Sequence, residues 1–153
     1  MSEQANFTVA LEQQQDYQFK ANFDWGQVTG LLVDAGRPLG QSTGPDSERL
    51  LAAAVGYCLT ASLLFAMREK FKQNPGKLRA EVAGTFARNE RGRLRVGGLA
   101  VTVRLSDQAE RIAHLDRATR QFEDFCTVTE SIRHGIPVRV QVIDAGGRTI
   151  HEG

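Results

Sequence analysis

Two cysteines and three histidines among 153 residues leave little room for chemistry that depends on clusters of such side chains. Cys58 and Cys126 stand sixty-eight positions apart, and His114, His134 and His151 are scattered, so no ligand spacing of the zinc type exists. No resident metal or bound cofactor is expected. Charge of one sign is lacking too. Nineteen Lys and Arg against eighteen Asp and Glu leave a net charge of +1, spread along the chain, which argues against nucleic acid and an anionic membrane surface as partners. No Gly-x-Ser-x-Gly elbow presents a serine nucleophile. Gly92, Gly97 and Gly98 are not followed by a helical pattern and Gly146-Gly147 lies in the tail, so a phosphate-binding loop is absent as well. Repeats and low-complexity segments are missing. The stretch Met1–Asn6 is polar and has no apolar core of the signal-peptide kind, so a cytoplasmic location is expected. Permanent disulfides are rare there, which makes the two cysteines either inert core residues or redox-active thiols.

What is present reads as a single domain over 1–153, long enough to bury roughly two-thirds of the surface its unfolded chain exposes. Phe7, Val9 and Leu11 alternate with polar residues, as do Tyr17, Phe19, Ala21, Phe23 and Trp25, the period of half-buried strands. A weaker run at 28–33 leads into a breaker-rich loop, 35–45. Pro45, Asp46 and Ser47 then start a helix to about Phe71, with Asp46 or Ser47 as cap and Glu48 in the first turn. Residues 50–67 carry no charge. Their Ala, Gly, Thr and Ser content favours a helix buried on all sides over a membrane span. Leu51, Val55, Cys58, Ser62 and Phe65 fall on one face of that helix.

Two alternating runs, 78–86 and 99–105, predict a long hairpin with a bend at Gly84. Ser106 and Asp107 open a second, amphipathic helix whose stripe is Ile112, Leu115, Thr119, Phe122 and Cys126. A short helical turn reaches His134. Val138, Val140 and Val142 form a last strand before a loose tail. The order of elements predicts an α+β class with an antiparallel sheet and helices gathered on one side.

Taken alone, a cysteine among aliphatic side chains is a small hydrophobe with a raised pKa, and it becomes a nucleophile only when a cation is brought to it. The segment Pro45-Asp46-Ser47-Glu48-Arg49-Leu50-Leu51-Ala52-Ala53-Ala54-Val55-Gly56-Tyr57-Cys58 resembles the opening of the central helix in the OsmC/Ohr superfamily. Phe125-Cys126-Thr127-Val128-Thr129-Glu130-Ser131-Ile132 is similar to the second cysteine segment of that family. Resemblance to the family implies an OsmC-like fold and an intertwined homodimer. It also implies a thiol peroxidase in which Cys58 attacks a hydroperoxide and Cys126 resolves the sulfenic acid as a disulfide. Arg37 matches the arginine that holds the thiolate, and Glu48 the glutamate that orients it. Asp46 and Ser47 intervene between Pro45 and Glu48, where the family's proline stands directly before its glutamate, so Arg49 offers a second register. An external dithiol of the lipoyl type is the implied reductant.

Two rival functions remain open beside this one: a non-catalytic relative that binds an apolar small molecule between subunits, and a thiol redox sensor. Phe23, Trp25 and Tyr57 are candidates for an apolar substrate mouth, although core positions are the plainer expectation.

Overall fold

The computed structural model describes residues 6–153, so the expectation for Met1–Asn6 falls almost wholly outside the described residues. The chain divides into two compact units, residues 1–50 and 51–153.

In the first unit, strands β1 (Val9–Gln15), β2 (Gln18–Phe23) and β3 (Leu31–Val33) form an antiparallel sheet in that order. The alternating patterns 7–11 and 17–25 thus produce the first two strands. Asp16 takes a left-handed conformation (φ 44°) at the turn between them, a geometry that Asp tolerates because its short side chain can bond locally. The loop after β3 is organised by buried Asp34. One carboxylate oxygen accepts from the Gln41 N–H (3.0 Å), the Thr43 N–H (3.1 Å) and the Thr43 hydroxyl (2.8 Å). Those donors, the Thr43 N–H foremost, hold the Asp34 carboxyl below its ordinary range against the opposing effect of burial.

Helix α1 (Ser47–Phe65) starts where the breakers end. Asp46 is its cap, accepting from the Arg49 N–H at 2.9 Å and pairing with the Arg49 guanidinium. A π-helical turn, Ala66–Lys70, extends it almost to the expected Phe71.

In the second unit, β4 (Arg79–Arg88), β5 (Leu94–Arg104), β6 (Val138–Ile143) and β7 (Thr149–Glu152) form a sheet in sequence order. Val55, Leu59, Leu63, Ala66 and Met67 of the helix share one core with Val101, Val103, Val140 and Val142. Close approach is needed at Gly56, where an added Cβ would stand 2.6 Å from Val82 Cγ2.

The α+β class holds, and several finer expectations change. The sheet is mixed, because β5 and β6 run parallel. Parallel strands require a crossover, and residues 105–137 supply it. The helix expected to follow Asp107 is broken into a 3-10 turn (Ala109–Arg111), α2 (Leu115–Thr119), a second 3-10 turn (Phe122–Phe125) and α3 (Thr127–Ile132). Extended Ile112 (φ −108°, ψ 102°) and then left-handed His114 (φ 61°) interrupt it. Ile112, Leu115, Phe122 and Cys126 nevertheless all reach the core. The hairpin irregularity falls between Thr85 and Phe86, beside the expected bend at Gly84. The tail is not loose: β7 pairs with β6, and the Glu123 carboxylate binds both the His151 Nε2 (2.6 Å) and the Arg133 guanidinium (2.8 Å).

Helix α1 is not buried on all sides. With its π-helical extension it is long and apolar enough to cross a membrane by length and composition, and only 39% of its apolar window is buried. Tyr57 and Phe65 stand exposed on it.

Candidate active site

Helical geometry decides what Cys58 can do. The buried face of α1 consists of Val55, Gly56, Leu59, Ser62 and Leu63, so Val55 and Ser62 of the expected stripe hold while Leu51, Cys58 and Phe65 fall off it, and Ala54, Tyr57 and Phe65 face outward. Cys58 lies at the border between the two and is half-buried. One side of the thiol therefore packs on the core, and the other opens into a cavity of about 540 Å³. Tyr57, Phe65, Phe125 and Val128 give that cavity an apolar wall, with the Phe65 and Phe125 rings edge to face at 5.5 Å. Lys70 Nζ stands 4.7 Å over the Phe125 ring.

Cys126 is fully buried, at 0% exposure, between the second 3-10 turn and α3. Its N–H donates to the Glu123 carbonyl (3.0 Å), which ties it to the turn that the His151 and Arg133 contacts anchor. Its sulfur lies 2.9 Å from Thr129 Oγ1. Burial raises the Cys126 thiol pKa, adjacent Cys58 raises it further, and the Thr129 hydroxyl and backbone N–H oppose both. The two cysteines, sixty-eight positions apart in sequence, are neighbours in the fold and both are free thiols.

Arg37 and Glu48 belong to the first unit. Arg37 is exposed in the loop, where its backbone N–H donates to the Ser42 hydroxyl at 3.2 Å. Glu48, also exposed, accepts from the Ser47 hydroxyl at 3.0 Å in the first turn of α1. No ion pair joins Arg37 to Glu48 among the described residues; Arg49 instead pairs with Asp46. Phe23, Trp25 and Tyr57 are exposed rather than core, and Tyr57 lines the thiol cavity. Thr129 is the site residue that sequence reasoning missed. Its spacing of three from Cys126, the relation of a helix cap to the first turn it serves, was the available signal.

The family model for OsmC-like protein matches residues 40–141, a span that includes both cysteines. The chain belongs to the OsmC-like family. No curated protein matches it. Among solved structures, this OsmC-like chain is similar to an OsmC-like protein of unknown function from Vibrio cholerae, with a TM-score of 0.74 and 16% identity over 91% of this chain and 99% of that one. It is similar to an organic hydroperoxide resistance protein OsmC from Legionella pneumophila (TM-score 0.70, 13% identity, 92% and 98% covered). The organic hydroperoxide resistance protein OhrB of Bacillus subtilis is a further likeness (TM-score 0.64, 18% identity, 90% and 98% covered). What these likenesses share with the chain is its fold.

Proposed function

We propose that this OsmC-like protein is a thiol peroxidase that reduces organic hydroperoxides through a Cys58–Cys126 cycle. The observation that carries the reading is a half-buried Cys58 facing an apolar cavity on one side and buried Cys126 on the other. Family membership and neighbours named for organic hydroperoxide resistance support it.

In the first step the Cys58 thiolate attacks the terminal peroxide oxygen, the O–O bond breaks, and the alkoxide leaves as the alcohol by taking the proton that the Cys58 thiol released on ionising, so that Cys58 becomes a sulfenic acid. Cys126 then attacks that sulfur. An S–S bond forms, the S–O bond breaks, and hydroxide departs as water with the proton Cys126 gave up. An external dithiol of the lipoyl type returns both cysteines to thiols. The apolar wall of Tyr57, Phe65 and Phe125 favours an organic peroxide tail over hydrogen peroxide. Arg37 is the proposed cation for the Cys58 thiolate, with Glu48 orienting it, because a guanidinium stays charged and can donate to sulfur and peroxide oxygen together. The working form is proposed to be a cytoplasmic homodimer of one OsmC-like domain per chain, since the exposed apolar face of α1 calls for a cover.

The test is turnover by reduced protein with dihydrolipoamide, comparing cumene hydroperoxide with hydrogen peroxide. Faster consumption of the cumene compound, abolished by Cys58→Ser, is the expected result. Absence of turnover with both thiols intact would favour a second reading, supported by the same apolar cavity: a carrier of an apolar small molecule with inert cysteines. An Arg37→Ala variant with an unchanged pH–rate profile would remove Arg37 from its role.

A further inference from the structure

Thr129 has no part in the cycle above, although its side chain is completely buried against a reacting sulfur. Three other hydroxyls in the helical segments bond to backbone carbonyls. Thr60 donates to the Gly56 carbonyl (2.7 Å), Ser131 to that of Thr127 (2.7 Å) and Thr119 to that of Asp116 (3.1 Å). Thr129 departs from this pattern: its Oγ1 is 2.9 Å from Cys126 Sγ.

We propose, on the two-cysteine reading, that the Thr129 hydroxyl is a catalytic group of the pair, donating to Cys126 Sγ whenever that atom carries negative charge. Accessibility makes this matter in both directions of the cycle. When the disulfide forms, Cys126 must surrender its proton inside a core where no water solvates the thiolate, and the departing hydroxide of the Cys58 sulfenic acid takes that proton to become water. When the disulfide is reduced, an incoming dithiol can reach only Cys58, because Cys126 is fully buried. The new S–S bond therefore forms at Cys58, the electron pair of the old bond goes to Cys126, and Cys126 leaves as a thiolate before it is reprotonated. A leaving thiolate departs faster when hydrogen bonding lowers its basicity. Cys58 on α1 is the titratable neighbour acting on Cys126, and it works in the opposite sense. Thr129 thus supplies from a neutral hydroxyl what a cation supplies at exposed reactive cysteines.

The experiment uses Thr129→Val, which keeps the shape and removes the hydroxyl, and Thr129→Ser, which restores it. In a Cys58→Ser background Cys126 is the sole thiol of the chain, so thiolate ultraviolet absorbance reads it alone. Thr129→Val should move the titration midpoint up by about one pH unit, the size of one hydrogen bond to a charged group, and Thr129→Ser should return it. With both cysteines present, Thr129→Val should slow conversion of sulfenic acid to disulfide about threefold at neutral pH, because the roughly tenfold loss of thiolate is partly offset by the greater nucleophilicity of a more basic sulfur, with Cys58 oxidation by peroxide unchanged. A valine variant that titrates with its parent, or a serine variant as impaired as valine, overturns the proposal. If unsubstituted protein forms no disulfide with peroxide, the peroxidase reading fails, while the single-thiol titration still decides whether Thr129 stabilises the thiolate.

Discussion

Cys58 and Cys126 are separate in sequence and adjacent in the fold, and the difference between their surroundings is the basis for the order of reaction proposed above. A half-buried thiol at a cavity can meet a peroxide, whereas a fully buried one can meet only its neighbour. Cys126→Ser should therefore leave the first oxidation rate intact and accumulate Cys58 sulfenic acid, measurable by dimedone labelling. Undiminished multiple turnover would remove Cys126 from the cycle. Two carboxylates give a second prediction at this scale. Asp34 is lowered by the Thr43 and Gln41 donors, and Asp144 by the Ala109 N–H (3.1 Å) and Arg148 N–H (2.9 Å), with burial opposing each. A folded pKa below the unfolded one contributes stability above the unfolded value of about 4, and that stability is lost as pH falls through the folded value. Asp34→Asn and Asp144→Asn should each lower stability at neutral pH and flatten the acid limb of a stability–pH curve. An unchanged acid limb would contradict this. The cysteines were legible because their segments resemble a known pattern. Asp34 was not, since what distinguishes it is a set of hydrogen bonds in three dimensions, and at Thr129 the spacing from Cys126 was visible but the contact to its sulfur was not.

Helix α1 was readable in place and length because its caps and breakers are local signals, but its buried face was only partly so: Val55 and Ser62 lie on it, and Leu51, Cys58 and Phe65 do not. Leu51, Val55, Cys58, Ser62 and Phe65 satisfy helical spacing as well as the observed core face does, and spacing alone does not say which face meets the sheet. Gly56 does say so, once its neighbour is known. Gly56→Ala should cost about 1–3 kcal/mol in crowding against stiff, β-branched Val82, offset by up to about 1 kcal/mol of helix propensity, for a net loss of about 1 kcal/mol. Chemical denaturation of Gly56→Ala, Val82→Ala and the double variant measures this. The double variant should be more stable than the sum of the single losses predicts, and strict additivity would contradict the contact. The stripe running to Cys126 was correct in which residues are buried and wrong in being one helix, because short turns can present the same side chains to one core. Strand β7 escaped notice since Thr149–Glu152 carries too little apolar alternation to stand out, and its place is secured by pairing with β6 and by the Glu123 contact to His151.

At the scale of the molecule, each unit leaves apolar surface in water. In the first, β1 is exposed along its length, with Leu11 at 61%, and in the second, Tyr57 is 77% exposed on α1. Such surface on a chain with near-zero net charge favours association, so sedimentation equilibrium should give twice the mass of one chain. Tyr57→Glu should shift the population toward single chains; a monomer before any substitution would contradict the dimer. The central claim, that the two thiols form a redox pair, is tested most directly by mass spectrometry of reduced protein treated with one equivalent of cumene hydroperoxide. The account predicts the loss of two hydrogens and a single cross-linked peptide joining Cys58 to Cys126, whereas unmodified thiols, or oxygen retained on Cys58 with no cross-link, would contradict it.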